Sequence, residues 1–131
     1  MQKIGVFFSS LLVFFLPVWF LPITSEFYDF NKNVFLISGA LILLVILGIH
    51  WLQQKQIKLL RTPLDIPALF LLVTWLLSTI IYSPNKVEAL LDPGQTGTYL
   101  AAVLIAFAVA NLVKSKRDFE HIFSAFLLST F

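Results

Sequence analysis

Residues 34–52 read VFLISGALILLVILGIHWL and contain no Asp, Glu, Lys or Arg. At roughly 1.5 Å per residue, a helix over this range is about 28 Å long, close to the ~30 Å thickness of a bilayer's hydrocarbon core. An uncharged apolar run of this length is typical of a membrane-spanning helix. The stretch therefore predicts that the chain crosses a membrane.

Further apolar runs lie at 4–21, 64–82 and 98–113, and a shorter one at 122–131 is long enough for only about half a crossing. The fold class predicted is all-α, a polytopic transmembrane helix bundle with four full helices plus the start of a fifth. A chain end at mid-bilayer would leave polar groups unsatisfied in hydrocarbon. We therefore expect residues 1–131 to be the amino-terminal region of a longer polytopic protein.

The composition excludes several other classes of protein. Hydrophobic residues make up 59% of the chain and charged residues 12%, against roughly 25% charged in soluble domains. The nine Lys and Arg residues lie at the ends of apolar runs, so they do not predict a nucleic-acid surface. The absence of Cys excludes disulfides and thiolate metal ligands.

The run at 4–21 is longer than a signal-peptide core and lacks a small-x-small cleavage site after it, so we expect it to be retained.

The distribution of cations predicts the orientation of the helices. Loops 22–33 and 83–97 hold only Lys32 and Lys86, and the other seven cations fall on the opposite side: Lys3, Lys55, Lys58, Arg61, Lys114, Lys116 and Arg117. Cytoplasmic loops carry the excess of Lys and Arg. The amino terminus is therefore predicted to be cytoplasmic.

Local sequence signals predict where the helices begin and end. Asp65 is expected to accept bonds from free backbone N–H groups at the start of the third span. Residues 83–85 (SPN) should end that span, and 92–94 (DPG) should form a turn before the fourth. Pro17 is expected to kink the first helix.

Few side chains in the spans suggest chemistry. Ala102, Ala106 and Ala110 recur every four residues, which favours close packing inside the bundle over dimerisation. His50 and Asn111 lie near the cytoplasmic span ends and are interpreted as interfacial residues, not as ligands or proton relays.

The outer loops hold the candidate site. Glu26 and Asp29 form an acidic pair that lacks a third metal ligand, so no metal site is predicted. Lys32 is the candidate substrate-binding residue, for a phosphate contact at the outer interface; the alternative is a snorkelling lysine that balances charge. No pair of residues suited to acid–base catalysis occurs in these loops, so no catalytic residue is predicted in this segment.

Short pieces along nearly the whole chain carry a family resemblance: FLP at 15–17 and 20–22, EFYDFNK at 26–32, LDIP at 64–67, LS at 77–78, YS at 82–83 and KSKRDF at 114–119. In this order they resemble the amino-terminal part of the O-antigen ligase and O-antigen polymerase-like family of bacterial envelope proteins. One departure is residues 91–99 (LDPGQTGTY), where the family often has a Gly-Ser-Tyr-Gly-Arg-like stretch.

The resemblance implies a bacterial inner-membrane protein that transfers or polymerises glycan from an undecaprenyl diphosphate carrier at the periplasmic face. It implies no cofactor and no metal, and it places the reactive Arg and His residues in later helices and a periplasmic loop. The expected partners are the bilayer, the carrier-linked glycan and the remaining helices of the longer chain. Two alternatives stay open: a polysaccharide or lipid transporter or flippase, and a small non-catalytic membrane scaffold.

Overall fold

The computed structural model describes residues 2–18, 29–57, 59–60, 62–63 and 65–130. These residues form helices and turns and contain no strand. The helices are α1 (Gln2–Val18), α2 (Asp29–Gln54), α3 (Asp65–Tyr82), α4 (Lys86–Leu91), α5 (Thr96–Leu112) and α6 (Lys116–Ser129). The predicted all-α helix bundle is confirmed.

Three helical stretches in the described part of the chain are long and apolar enough to cross a membrane: Asp29–Gln54, Asp65–Tyr82 and Lys86–Leu112, the last of which comprises α4 and α5. α1 is also apolar but has 17 residues in the structure. The predicted span at 4–21 therefore agrees with α1 up to Val18, and residues 19–21 lie outside the described ranges. Pro17 lies in the last turn of α1.

α4 was not predicted from the sequence. Asn85 begins this helix, since its side-chain oxygen accepts bonds from the backbone N–H groups of Val87 and Glu88. The helix ends at Leu91, and the predicted turn follows with Gly94 at a φ of 73°. The six apolar and charged residues of α4 were interpreted as loop because a helix this short gives too few turns for a periodic pattern.

The core lies where α1, α2 and α5 meet. Its fully packed residues come from these three helices: Leu12, Leu43, Leu47, Ala108 and Leu112. Two glycines let the helices approach closely. A methyl group on Gly39 would lie 2.2 Å from Leu12 Cδ1, and one on Gly5 would lie 2.9 Å from Leu112 Cδ1. Leu12 of α1 therefore packs against Gly39 of α2, and Leu112 of α5 packs against Gly5 of α1. Small residues at such contacts let helix backbones approach closely, which is how helices associate in lipid.

Within the described bundle, the prediction of internal packing is wrong for Ala102 and Ala106, which are exposed, whereas Ala110 is half-buried. The buried small residues of α5 are Gly97, Ala101 and Ala108. Sequence spacing identified a face of small residues, but α5 turns a neighbouring face toward α2. The two faces differ by about one residue position, which is 100° around a helix.

α3 and α6 lie on the outside of the three-helix core. α3 has no buried residue, and its contacts with α5 include the rings of Trp75 and Tyr99, whose centroids are 4.3 Å apart, and the hydroxyls of Thr79 and Thr96. α6 packs along α1. Its half-buried residues are Asp118, Ile122, Ala125 and Ser129, at the three- and four-residue spacing of a helix contact face.

α6 begins six residues before the predicted run at 122–131. A capping box explains the earlier start: Ser115 Oγ accepts a bond from Asp118 N, and Asp118 Oδ2 accepts a bond from Ser115 N at 3.2 Å. Asp118 Oδ2 also accepts a bond from Gln2 Nε2 at 3.2 Å. The starts of α6 and α1 are therefore tied together, and the two helices run parallel.

The packing of Leu12 against Gly39 predicts a stability difference between two glycines of α2. Replacing Gly39 with Ala should destabilise the bundle by about 1–3 kcal/mol, because the added methyl overpacks the buried Leu12. Gly48→Ala is the matched control, since nothing lies within 4 Å of its added methyl and helix propensity favours Ala. Denaturant unfolding in detergent micelles measures both. Equal stabilities would contradict the packing, as would a failure of Leu12→Ala to relieve the Gly39→Ala defect.

A second prediction concerns the titration of Asp118. Burial alone would raise its pKa, but hydrogen bonds from Ser115, Lys114 and Gln2 outweigh this and hold the pKa below its ordinary value. The carboxylate therefore stabilises the start of α6 above pH about 4, and this contribution is lost as the pH falls through the lowered pKa. NMR titration of the Asp118 carboxyl carbon in micelles measures the shift. Ser115→Ala should raise the pKa, whereas Ser124→Ala should not. Titration at the ordinary value in the unmodified chain would contradict the capping geometry.

Candidate functional site

A hydrogen-bonded set of residues joins α2 to the α4–α5 turn. Asn33 Nδ2 donates to Leu91 O at 2.6 Å, and Asn33 Oδ1 accepts from Thr98 Oγ1 at 2.7 Å. Thr98 Oγ1 in turn accepts from Gly94 N at 3.0 Å. Asn33 is only 3% exposed, and a buried amide of this kind needs both its donor and its acceptor satisfied. We call Asn33, Leu91, Gly94 and Thr98 the asparagine clasp.

Beside the clasp lies a pocket of about 190 Å³, which we call the polar pocket because charged and polar residues contribute to its lining, although most of its exposed wall is apolar. It is lined by residues of α1, α2, α5 and the turn before α5: Leu16, Asp29, Lys32, Asn33, Leu36, Pro93, Gly94 and Thr98. The structure thus places the predicted substrate-binding residue, Lys32, on the wall of a pocket. Asp29 and Lys32 reach it from the first turn of α2, one helical turn apart, so the pocket wall carries both an anion and a cation.

The position of α4 depends on a glycine. A methyl group on Gly97 would lie 1.7 Å from the carbonyl oxygen of Leu90, which is backbone and has no rotamer with which to move away. α4 therefore contacts the first turn of α5 directly, and only glycine fits at this point. This contact and the clasp together hold the turn that forms one wall of the polar pocket.

An apolar crevice of about 210 Å³ opens nearby, between α2, α4 and α5. Its lining is hydrophobic and includes Ile37, Leu41, Leu91, Leu100 and Leu104. Leu91 connects the two cavities, because its side chain lines the crevice while its carbonyl oxygen bonds to Asn33 of the polar pocket. The polar pocket and the apolar crevice thus lie on opposite sides of the hydrogen bond between Asn33 and Leu91.

These cavities lie at what we call the turn end of the bundle, where α2 and α5 begin and α3 ends. Its described charged residues are Asp29, Lys32, Lys86, Glu88 and Asp92. The opposite, basic end holds the start of α1 and the ends of α2 and α5. Its described cations are Lys3, Lys55, Lys114, Lys116 and Arg117. The predicted alternation of the helices is therefore present, with Lys58 and Arg61 outside the described residues.

Polar side chains also link the helices at the basic end. His50 Nε2 lies 3.0 Å from Gln54 Nε2 and 3.5 Å from Lys114 Nζ, and the His50 side chain is 6% exposed. Asn111 Oδ1 accepts a bond from Leu60 N at 2.9 Å. Both residues lie near span ends as predicted. Both are buried there, where His50 lies beside Lys114 and Asn111 bonds to the segment that follows α2.

Two other sequence expectations concern acidic residues. Asp65 is the first residue of α3, and its carboxylate accepts a bond from the preceding Thr62 N at 2.7 Å, so it orders the segment before the helix. The predicted bonds to N–H groups at the start of α3 stay a prediction. Glu26, the proposed neighbour of Asp29, lies outside the described residues. Among the residues that are described, no three His, Cys, Asp or Glu side chains form a group able to hold a metal ion.

Asn33 and Thr98, which build the site, were not predicted from the sequence. Asn33 follows Lys32 at the start of an apolar run and was interpreted as a loop residue. A signal was available, since an amide at the edge of a membrane span needs hydrogen-bond partners and Thr98 begins the other span at the same end. Comparison of the chain with protein-family models, curated proteins and solved structures finds no match.

The asparagine clasp predicts that Thr98 protects the turn before α5. Thr98→Val keeps the shape of the side chain but removes the bonds to Asn33 and Gly94, at a cost of about 1–3 kcal/mol for the buried amide left unpaired. Hydrogen exchange at the Gly94 amide should accelerate by at least fivefold. Thr74→Val is the matched control because the Thr74 hydroxyl bonds only within α3, to Phe70 O. Unchanged exchange at Gly94 in Thr98→Val would contradict the clasp.

Proposed function

We propose that the chain forms the amino-terminal membrane region of a glycan transferase or polymerase of the O-antigen ligase type, in the bacterial inner membrane. In this proposal the basic end faces the cytoplasm and the turn end faces the periplasm. The charge distribution supports this orientation, since five of the seven described Lys and Arg residues lie at the basic end. The sequence pieces quoted above support the choice of family.

The observation that best supports this proposal is the position of Lys32 in the lining of the polar pocket, next to the apolar crevice. An undecaprenyl diphosphate-linked glycan is an amphiphile with a charged diphosphate between a polar sugar and a long apolar chain. Lys32 supplies a cation for the diphosphate, and the asparagine clasp holds the pocket wall beside it. The crevice supplies an apolar surface for the part of the chain nearest the diphosphate.

The role that fits Lys32 is binding the carrier rather than chemistry on it. A cation near the diphosphate stabilises the negative charge that develops when the glycan leaves. The acceptor hydroxyl also needs a base, and the described lining of the pocket offers one carboxylate, Asp29, and no His. We therefore assign the pocket to carrier binding and place the base elsewhere in the protein.

Lys32→Gln should lower the affinity for undecaprenyl diphosphate about fivefold, which corresponds to roughly 1 kcal/mol for one cation at a membrane surface. Carrier binding is measured in nanodiscs of neutral lipid, and glycan transfer is measured in membranes that contain the complete protein. Lys86→Gln is the control, because Lys86 lies at the same end but outside the pocket lining.

Equal carrier affinity in the Lys32→Gln and Lys86→Gln proteins would refute the contact. Loss of carrier translocation without loss of glycan transfer would instead favour a flippase. The intact mass of the protein isolated from its host addresses the scaffold alternative. A product with further helices and a periplasmic loop containing Arg and His is expected, and a product of 131 residues would refute the transferase.

A further inference from the structure

At the basic end, the ends of four helices bring polar side chains and cations close together. Gln2 of α1 bonds to Asp118 of α6, and His50 of α2 lies beside Lys114, which follows α5. The described cations at this end are exposed: Lys3, Lys55, Lys114, Lys116 and Arg117. Since the hydrogen bonds hold the helix ends together, these charges belong to one surface.

The acidic residues at this end are engaged in local contacts. Asp118 accepts bonds from the backbone at the start of α6, and Asp65 accepts bonds from Thr62. Glu120 lies 3.9 Å from Lys116 within α6. Five described cations therefore face three described acids, and two of those acids are bonded to neutral groups. The surface keeps an excess of positive charge.

Lys114 is exposed on this surface and lies next to the buried His50. Its ammonium nitrogen lies 3.5 Å from His50 Nε2, which also lies 3.0 Å from Gln54 Nε2. This contact uses at most one of the three N–H donors and leaves the charge of Lys114 intact. His50 is buried and has Trp51 as its neighbour, whose ring packs edge-on against Phe107 at 6.5 Å between centroids. The ammonium thus lies at the boundary between the packed bundle and the surface.

Exposed apolar side chains lie in the same segments of the chain as these cations. Leu52 is 78% exposed, and Ile57, Leu59, Leu60 and Phe119 are each more than half exposed. A free phosphate ion would contact only the cations, whereas a phospholipid has a charged headgroup for the cations and acyl chains for the exposed apolar side chains. The combination of charge and exposed hydrophobic surface points to a lipid ligand.

We propose that the basic end binds the phosphate headgroup of an anionic phospholipid, with Lys114 as the central contact and Arg117 and Lys55 as further cations. This site lies at the opposite end of the bundle from the polar pocket and does not depend on the proposed carrier. Each cation near a membrane surface strengthens binding of an anionic lipid by about fivefold.

Fluorescence of Trp51 tests this proposal. Trp19→Phe and Trp75→Phe leave Trp51 as the single tryptophan of the chain. The protein is reconstituted in dioleoylphosphatidylcholine with rising fractions of dibromo-phosphatidylglycerol or dibromo-phosphatidylcholine, whose bromines quench a nearby indole. Phosphatidylglycerol should bind at least fivefold more strongly than phosphatidylcholine. Lys114→Gln should reduce that preference about fivefold, and Lys86→Gln at the turn end should leave it unchanged.

Equal quenching by the two brominated lipids would overturn the proposal, as would an unchanged preference in Lys114→Gln. Inorganic phosphate at 10 mM is added at constant ionic strength, and displacement of the brominated lipid by it would show a free-anion site instead. Arg117→Gln provides a second variant in case Lys114→Gln disturbs folding around His50, because Arg117 is exposed. It should lower the preference in the same direction, and no change in Arg117→Gln would count against the headgroup contact.

Discussion

The contact between α2 and α5 fixes the positions of the other elements. In lipid, helices gain little from hydrophobic burial against one another, so they associate through close packing and hydrogen bonds. This contact has both. Leu43 and Leu47 pack against Ala108 and Leu112 at its centre, and polar groups hold its two ends. The asparagine clasp joins the helices at the turn end, and Lys114, just beyond α5, meets His50 of α2 at the basic end. α1 then packs into the groove that the two helices form.

The sequence predicted the spans well because a bilayer imposes a length. Uncharged runs of about 20 residues have few alternatives to a spanning helix, and the predicted run at 34–52 lies within α2. Helix ends were predicted where a residue acts locally, as at the Pro84 that follows α3 or the turn at Gly94. α4 and the early start of α6 were missed because their signals, Asn85 and the Ser115–Asp118 box, lie in polar stretches that had been interpreted as loop.

Side-chain partners were harder to predict than helices. The four-residue spacing of alanines identified a smooth face of α5, but which face meets α2 depends on residues far away in sequence, such as Asn33. Lys32 was identified because its charge stands out in an apolar sequence. Asn33 and Thr98 are common polar residues whose importance appears only when they meet, 65 positions apart. The sequence therefore predicted only Lys32, whereas the structure places Lys32 in a pocket whose lining also includes Asn33 and Thr98.

The two ends of the bundle place polar groups in opposite ways. At the turn end, Asn33 and Thr98 are directed inward and shape a pocket wall around Lys32. At the basic end, Asn111 and His50 fill the interior while the cations project outward. α3 has no buried residue, whereas α2 contributes Leu43 and Leu47 to the core. A shift of α3 would break its ring contact with Tyr99 and its hydroxyl contact with Thr96 and would disturb α4, but it would leave the core residues packed.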